Sequence, residues 1–311
     1  MRRLLTIVLA SAAMLSASAQ KKEKPATAWK TGGMFSVVGG QSGTRNWEPA
    51  GSEKYAITAA INTNLWANKT WGKNNWMNSL DLAYGLINTS SQGIRKVNDK
   101  FDFFSKYSYS LKERWGLGAV GNLRTQITDA FDYEESPRKR LSGFFAPAYL
   151  TFSPIGLQYK TPSNVLSVHV GPAVRWVIVT NKPYSLVHQG GVKPDGGTEK
   201  TLAEFYGVDP RKKVDFQVGP YLTASFNKEV VKNVTWKSRA DVNMDIADEE
   251  PFKDVDVYWS NSIGMKVNKW LTVNYNFDLY ADDDVKMFGL ERQFARTQMQ
   301  SMLGVGLGVK F

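Results

Sequence analysis

The sequence predicts an all-β fold, a transmembrane antiparallel up-and-down β-barrel of about 12 strands, and three observations carry that prediction. The chain ends on Leu303-Gly304-Val305-Gly306-Leu307-Gly308-Val309-Lys310-Phe311, which places Leu303, Val305, Leu307, Val309 and Phe311 on one strand face and glycines with Lys310 on the other. A row facing lipid and a row facing a lumen have this period of two. At the other end, Met1-Arg2-Arg3 is a charged start, Leu4 to Leu15 a short apolar stretch, and Ala17-Ser18-Ala19 a small-x-small cleavage site. Between them, from Gly32 to Phe311, about twelve alternating segments are separated by polar stretches.

These features divide the chain into a signal peptide over 1–19, a periplasmic N-terminal tail over 20–31 and an outer-membrane β-barrel over 32–311. A retained N-terminal membrane helix is disfavoured, because the apolar run is shorter than the roughly 20 residues that spanning requires. A lipoprotein signal needs a Cys at the cleavage site, and the chain has no cysteine.

Composition agrees. A hydrophobic content of 42% with a negative mean hydropathy excludes a helical membrane protein, yet suits strands of which half the residues face water. Aromatic residues make up 13%, with ten Trp, which predicts interfacial belts. The formal charge of +10 falls to +8 once Arg2 and Arg3 leave with the signal. Such a surface can meet anionic lipid head groups or lipopolysaccharide phosphates, although solubility charge on loops and tail is the simpler reading. Nothing in it points to nucleic acid.

The predicted strands are 32–39, 54–68, 75–88, 97–111, 115–127, 143–153, 165–180, 213–227, 231–247, 253–267, 270–281 and 293–311. Connections after the even-numbered strands are short, apart from Pro154 to Asn164; those after the odd-numbered strands are mostly longer, up to Asn181–Lys212. Short periplasmic turns and longer outer loops then put both termini in the periplasm. Trp76, Trp115 and Trp236, with Phe152, Phe226 and Phe311, read as an inner aromatic girdle, whereas Trp66 and Trp270 fall on the other parity. A soluble β-sandwich would explain the alternation but not the signal, the terminal Phe311 or the difference in loop length.

The stretch Trp76-Met77-Asn78-Ser79-Leu80-Asp81-Leu82-Ala83-Tyr84-Gly85 resembles a family of uncharacterised outer-membrane proteins common in Bacteroidota, known as a domain of unknown function. Lys96-Val97-Asn98-Asp99-Lys100-Phe101 is similar to that family's Lys-x-x-Asp-Lys stretch, Leu123-Arg124-Thr125-Gln126 to its Arg-Thr-Gln element, and Asn46-Trp47 with Gly51 to its Asn-Trp-Gly-rich region. The resemblance implies the barrel fold and no activity. The final strand with Phe311 likewise resembles the assembly signal that the barrel-insertion machinery reads in exported Gram-negative proteins.

Chemistry is sparsely provided for. The histidines are His169 and His188. Twelve-stranded phospholipases use a His-x-Ser pair, and His169-Val170-Gly171 lacks the Ser, so no enzyme and no cofactor are expected. Asp282-Asp283-Asp284 lacks the spacing of an EF-hand loop and reads as a solvated tip, with loosely held calcium as the alternative. The predicted lumen carries Arg124, Arg175, Lys237, Arg239, Lys266 and Arg296 beside Asp81, Asp102, Asp241, Asp245, Asp256 and Asp278. These charges read as an ion-pair network that fills the barrel or as a polar path for small solutes. The connection 181–212 holds Thr201-Leu202-Ala203-Glu204-Phe205-Tyr206, a candidate short helix whose apolar residues favour burial. The functional expectation is an outer-membrane barrel that is structural or accessory to envelope assembly, or alternatively a narrow channel for small polar solutes. Its partners are then outer-membrane lipid and lipopolysaccharide, the barrel-assembly machinery, and proteins at the periplasmic face or outer loops.

Overall fold

A computed structural model describes residues 28–43, 55–133, 139–163, 165–180, 191–192, 198–199, 201–209, 211–247, 255–288 and 294–311. The signal segment, Asn46-Trp47 with Gly51, and His188 lie outside the described residues. Twelve antiparallel strands close into a ring: β1 (Lys30–Gly43), β2 (Tyr55–Trp71), β3 (Asn74–Thr89), β4 (Gly93–Ser110), β5 (Trp115–Thr125), β6 (Ala148–Lys160), β7 (Leu166–Ile178), β8 (Val214–Val231), β9 (Val234–Met244), β10 (Val255–Lys266), β11 (Leu271–Ala281) and β12 (Gln298–Lys310). Each pairs with its sequence neighbours, and β1 pairs with β12, so the sheet has no free edge.

Period-two alternation sets the two surfaces. Leu303, Val305, Leu307, Val309 and Phe311 are each at least half exposed on the outside. Phe103, Tyr107, Leu117, Phe216, Trp236 and Trp259 are exposed as well. The inward positions are polar and buried, among them Asp102, Asn122, Arg124, Thr151, Arg175, Thr223, Asp241 and Asn274. The molecule is therefore apolar outside and polar inside, the reverse of a water-soluble sandwich.

At the end where β1 begins and β12 ends, the strands meet in short turns. Gly72-Lys73 joins β2 to β3 with Gly72 at φ +53°, and Lys232-Asn233 joins β8 to β9 with Asn233 at φ +69°. Both residues tolerate the left-handed region that a two-residue hairpin needs. The turn after β6 is also short. The predicted long connection from Pro154 is strand instead: β6 continues to Lys160, with a register shift between Phe152 and Leu157 that accommodates the proline. The same correction applies at the other end to the predicted outer loop at Thr89–Lys96, because β3 and β4 pair up to Thr89 and Gly93, where Gly93 turns at φ +70°.

The later β6 moves one girdle residue. Trp115 pairs with Tyr159, and the rings lie 5.0 Å apart; Phe152 lies in mid-strand opposite Gly121. Trp236 with Phe226 at 4.9 Å and Trp76 with Trp29 at 5.4 Å complete the band near the short turns. Trp270 is exposed in the β10–β11 turn. Trp66 lies opposite Gly32, whose added Cβ would come within 2.5 Å of the indole, so glycine there makes room for the ring.

At the long-connection end a short segment packs over one side of the barrel. Helix α1 (Leu202–Phe205) is capped by Thr201 in a capping box with Glu204. Leu202, Ala203, Phe205, Tyr206 and Val208 pack with Tyr149 of β6, Val177 of β7, Val179 and Val285 into the main apolar cluster. Tyr206 donates to the Leu141 carbonyl at 2.8 Å, and Lys286 N–H to the Phe205 carbonyl at 3.0 Å. Burial of Leu202 and Phe205 contributes roughly 1.5–3 kcal/mol each towards holding this plug.

Candidate functional site: the braced lumen and its outer plug

The lumen is crossed by charged side chains between strands far apart in the ring. Arg239 of β9 bonds Asp102 of β4 and, through Nε at 3.0 Å, Asp241 on its own strand. Lys100 of β4 reaches Asp278 of β11 at 3.1 Å and Ser260 of β10 at 2.9 Å. Arg124 of β5 lies 3.8 Å from Asp241, with its guanidinium 4.1 Å from the centre of the Tyr258 ring. Lys237 of β9 donates to Asn64 of β2, whose amide donates to Asp81. The carboxylates have neutral donors too: Asn122 to Asp102 at 2.8 Å, Tyr221 to Asp241 at 2.8 Å and Tyr258 to Asp278 at 3.2 Å. Buried charges persist when paired and hydrogen-bonded, as Arg239 and Lys100 are here, while Arg124 makes its contacts at longer range with Asp241 and the Tyr258 ring.

A second layer lies under the plug. Arg175 of β7 bonds Asp256 of β10 and Asp282 beyond β11, and its guanidinium stacks over Tyr149 at 4.7 Å. Tyr280 also donates to Asp282. Asp282 is therefore buried, which corrects the reading of Asp282-Asp283-Asp284 as a solvated tip. Asp256, Asp282 and Asp283 present oxygens within 4.8 Å of one another. The Arg175 guanidinium bonds two of them and already supplies the positive charge there. Asp284, outside the strands, accepts from Gln217 at 3.3 Å, and burial followed by the charges of Asp282 and Asp283 pushes its carboxyl up to about 6.

Towards the short turns, Ser153 of β6 and His169 of β7 meet, their side chains fully buried. The Ser153 hydroxyl donates to the Pro172 carbonyl at 2.8 Å, so His169 Nε2–H donates to Ser153 Oγ at 2.9 Å. Gln158 in turn donates to His169 Nδ1 at 3.2 Å. Gly156 makes the room, since a Cβ there would lie 2.5 Å from the imidazole. A base must accept the serine proton, and here the proton inventory runs the other way.

Of the predicted lumen residues, the structure brings Arg124, Arg175, Lys237, Arg239, Asp241 and Asp278 into these layers. Arg296 is a correction: β12 begins at Gln298, and Arg296 is exposed before it, its guanidinium 6.0 Å from the Phe288 ring. Lys266 is exposed at the end of β10, and Asp245, past the end of β9, accepts from Val218 N–H at 3.2 Å. Phe311 ends the barrel seam, exchanging backbone hydrogen bonds with Gly33 at 2.9 and 3.1 Å.

One further cluster lies among residues outside the predicted lumen set. Asp99 accepts from Ile127 N–H at 2.7 Å and Thr128 N–H at 2.9 Å, and Lys96 bridges Asp99 at 2.7 Å, Gln126 at 2.9 Å and the Thr128 carbonyl at 2.7 Å. The signal was present in the Lys-x-x-Asp-Lys and Arg-Thr-Gln resemblances, which fall on adjacent strands and meet here.

Residues 40–131 match the model of a family described as a protein of unknown function, DUF3078. No curated protein matches the sequence. Among solved structures, the chain is similar to the NanC porin at 10% identity and a TM-score of 0.36, over 88% of this chain and 98% of that one. It is similar to the translocator domain of the autotransporter NalP from Neisseria meningitidis at 9% identity and 0.36, over 100% and 98%. For outer membrane phospholipase A from Escherichia coli the values are 10% and 0.30, over 93% and 94%. Identities this low carry neither residues nor activity across to this chain.

Proposed function

We propose that this protein is an integral outer-membrane β-barrel with an occluded lumen, a structural or accessory element of the envelope and not an open pore. The observation that carries this reading is the bracing of the lumen. Arg239–Asp102 and Lys100–Asp278 each join strands five apart in a ring of twelve, and the α1 plug packs against β6 and β7 at the outer end. The outward apolar band supports lipid as the surrounding solvent, because a soluble monomer rarely exposes a contiguous apolar patch above a few hundred Å². The aromatic band near the short turns suits lipid head groups, and the outer connections would face lipopolysaccharide. Phe311 at the seam would be read by the barrel-assembly machinery. The His169–Ser153 pair belongs to the packing of the lumen, so catalysis forms no part of the proposal.

Reconstitution of the purified full-length protein into planar bilayers tests the closure. The expected result is a membrane without steady conductance steps under conditions in which an open porin conducts. Stable single-channel steps from the unaltered protein would support the narrow channel for small polar solutes instead.

A further inference from the structure

A cavity of about 640 Å³ opens at the long-connection end, beside the plug. Its size lies within the roughly 300–1,000 Å³ of small-molecule sites. The walls combine carboxamides (Asn98, Gln126, Gln298 and Gln300), the Ser142 hydroxyl and the Phe288 ring. From these residues we propose that the cavity is a binding site for a neutral saccharide of about two sugar rings.

The polar groups indicate the class of ligand by what they have left to offer. An ammonium has three protons to donate, and Lys96 places its own on Asp99, Gln126 and the Thr128 carbonyl. Asp99 is neutralised by that contact and by two backbone N–H groups. This ion pair is therefore saturated and presents no uncompensated charge to an anionic or cationic guest. The carboxamides differ. Among the described residues, Asn98 and Gln298 make no side-chain hydrogen bond; Gln126 uses only its oxygen, accepting from Lys96 and Ser142; and Gln300 uses only its nitrogen, donating to the Val97 carbonyl at 2.6 Å.

A carboxamide carries donor and acceptor side by side, which complements adjacent hydroxyls, each of which both donates and accepts. The Phe288 ring, with Met287 and Val97 also in the wall, offers an apolar surface for the C–H face of a pyranose. A fatty acid would leave the carboxamides unpaired, and an acidic sugar would meet the Asp132 carboxylate in the wall and, among the described lining residues, no free cation.

The test is titration calorimetry on the full-length protein in detergent, with maltose, cellobiose, lactose and diacetylchitobiose as neutral probes. Digalacturonate and octanoate serve as the acidic and apolar probes. At least one neutral disaccharide should saturate below about 10 mM, with digalacturonate and octanoate at least tenfold weaker. Asn98→Ala combined with Gln298→Ala should weaken that binding at least tenfold, whereas Lys228→Ala, at the opposite end of the barrel, should not. Heat-modifiable migration reports folding, and Phe288→Ala takes the place of the double variant if that variant does not fold. Absence of saturable binding by every neutral probe, tighter binding of an anion or octanoate, or affinity indifferent to these substitutions overturns the proposal. Closure of the lumen is read separately by conductance, so either reading can fail without the other.

Discussion

Replacing Arg239 with Ala removes the guanidinium that joins Asp102 and Asp241, two carboxylates whose side chains are each only 2% exposed. Asp102 would keep Asn122 at 2.8 Å, and Asp241 would keep Tyr221 at 2.8 Å and Arg124 at 3.8 Å. Hydrogen bonds from neutral groups do not replace the lost cation, and stranding a buried charge costs about 3–5 kcal/mol in a dry site. The retained partners place the expected loss near the lower end, about 3 kcal/mol. Packing over Phe104, where the guanidinium lies 4.9 Å from the ring centre, is lost as well. The assay is urea unfolding of the barrel in lipid vesicles, scored by heat-modifiable migration. Arg239→Met with Asp102→Asn should recover much of the loss, because it removes both members of the pair. An unchanged midpoint for Arg239→Ala, together with increased solute flux, would refute the reasoning, since that result requires water around both carboxylates.

Deletion of Phe311 removes the last backbone rung between β12 and β1 and an outward aromatic, so outer-membrane fractionation should show reduced heat-modifiable barrel. An epitope inserted at Gly196, in the connection between β7 and β8, should be reached by antibody on intact cells; one at Lys228 should require outer-membrane permeabilisation. Asp284 has a folded pKa raised above its ordinary value, so its stabilising contribution is complete below about pH 4 and is lost as pH rises through about 6. Hydrogen exchange of the α1 amides, corrected for intrinsic rates, should therefore quicken over that interval by an amount equivalent to about 3 kcal/mol at most, and Asp284→Asn should flatten the dependence.

The barrel was legible in the amino-acid order, because a strand that divides lipid from lumen must carry its two environments at alternate positions. The rows Leu303 to Phe311 and Val234 to Met244 therefore announce both the strands and their inward charges. Closure into twelve also follows from the count of such rows, since an even number returns the chain to the face on which it began. Local patterning fails where a strand departs from regularity or where partners come from far along the chain. Pro154 reads as a turn, yet it sits unpaired in an irregularity of β6, and the strand resumes pairing with both neighbours by Leu157; Arg296 has inward parity but lies before the pairing of β12 begins. The partners of each lumen charge were equally hidden: Arg239 and Asp102 stand 137 residues apart in sequence and meet only when the ring closes. Tertiary structure alone decided that Lys96 is saturated while Asn98, two residues on, keeps its carboxamide unspent, because hydrogen-bond satisfaction depends on which distant groups the fold brings within reach.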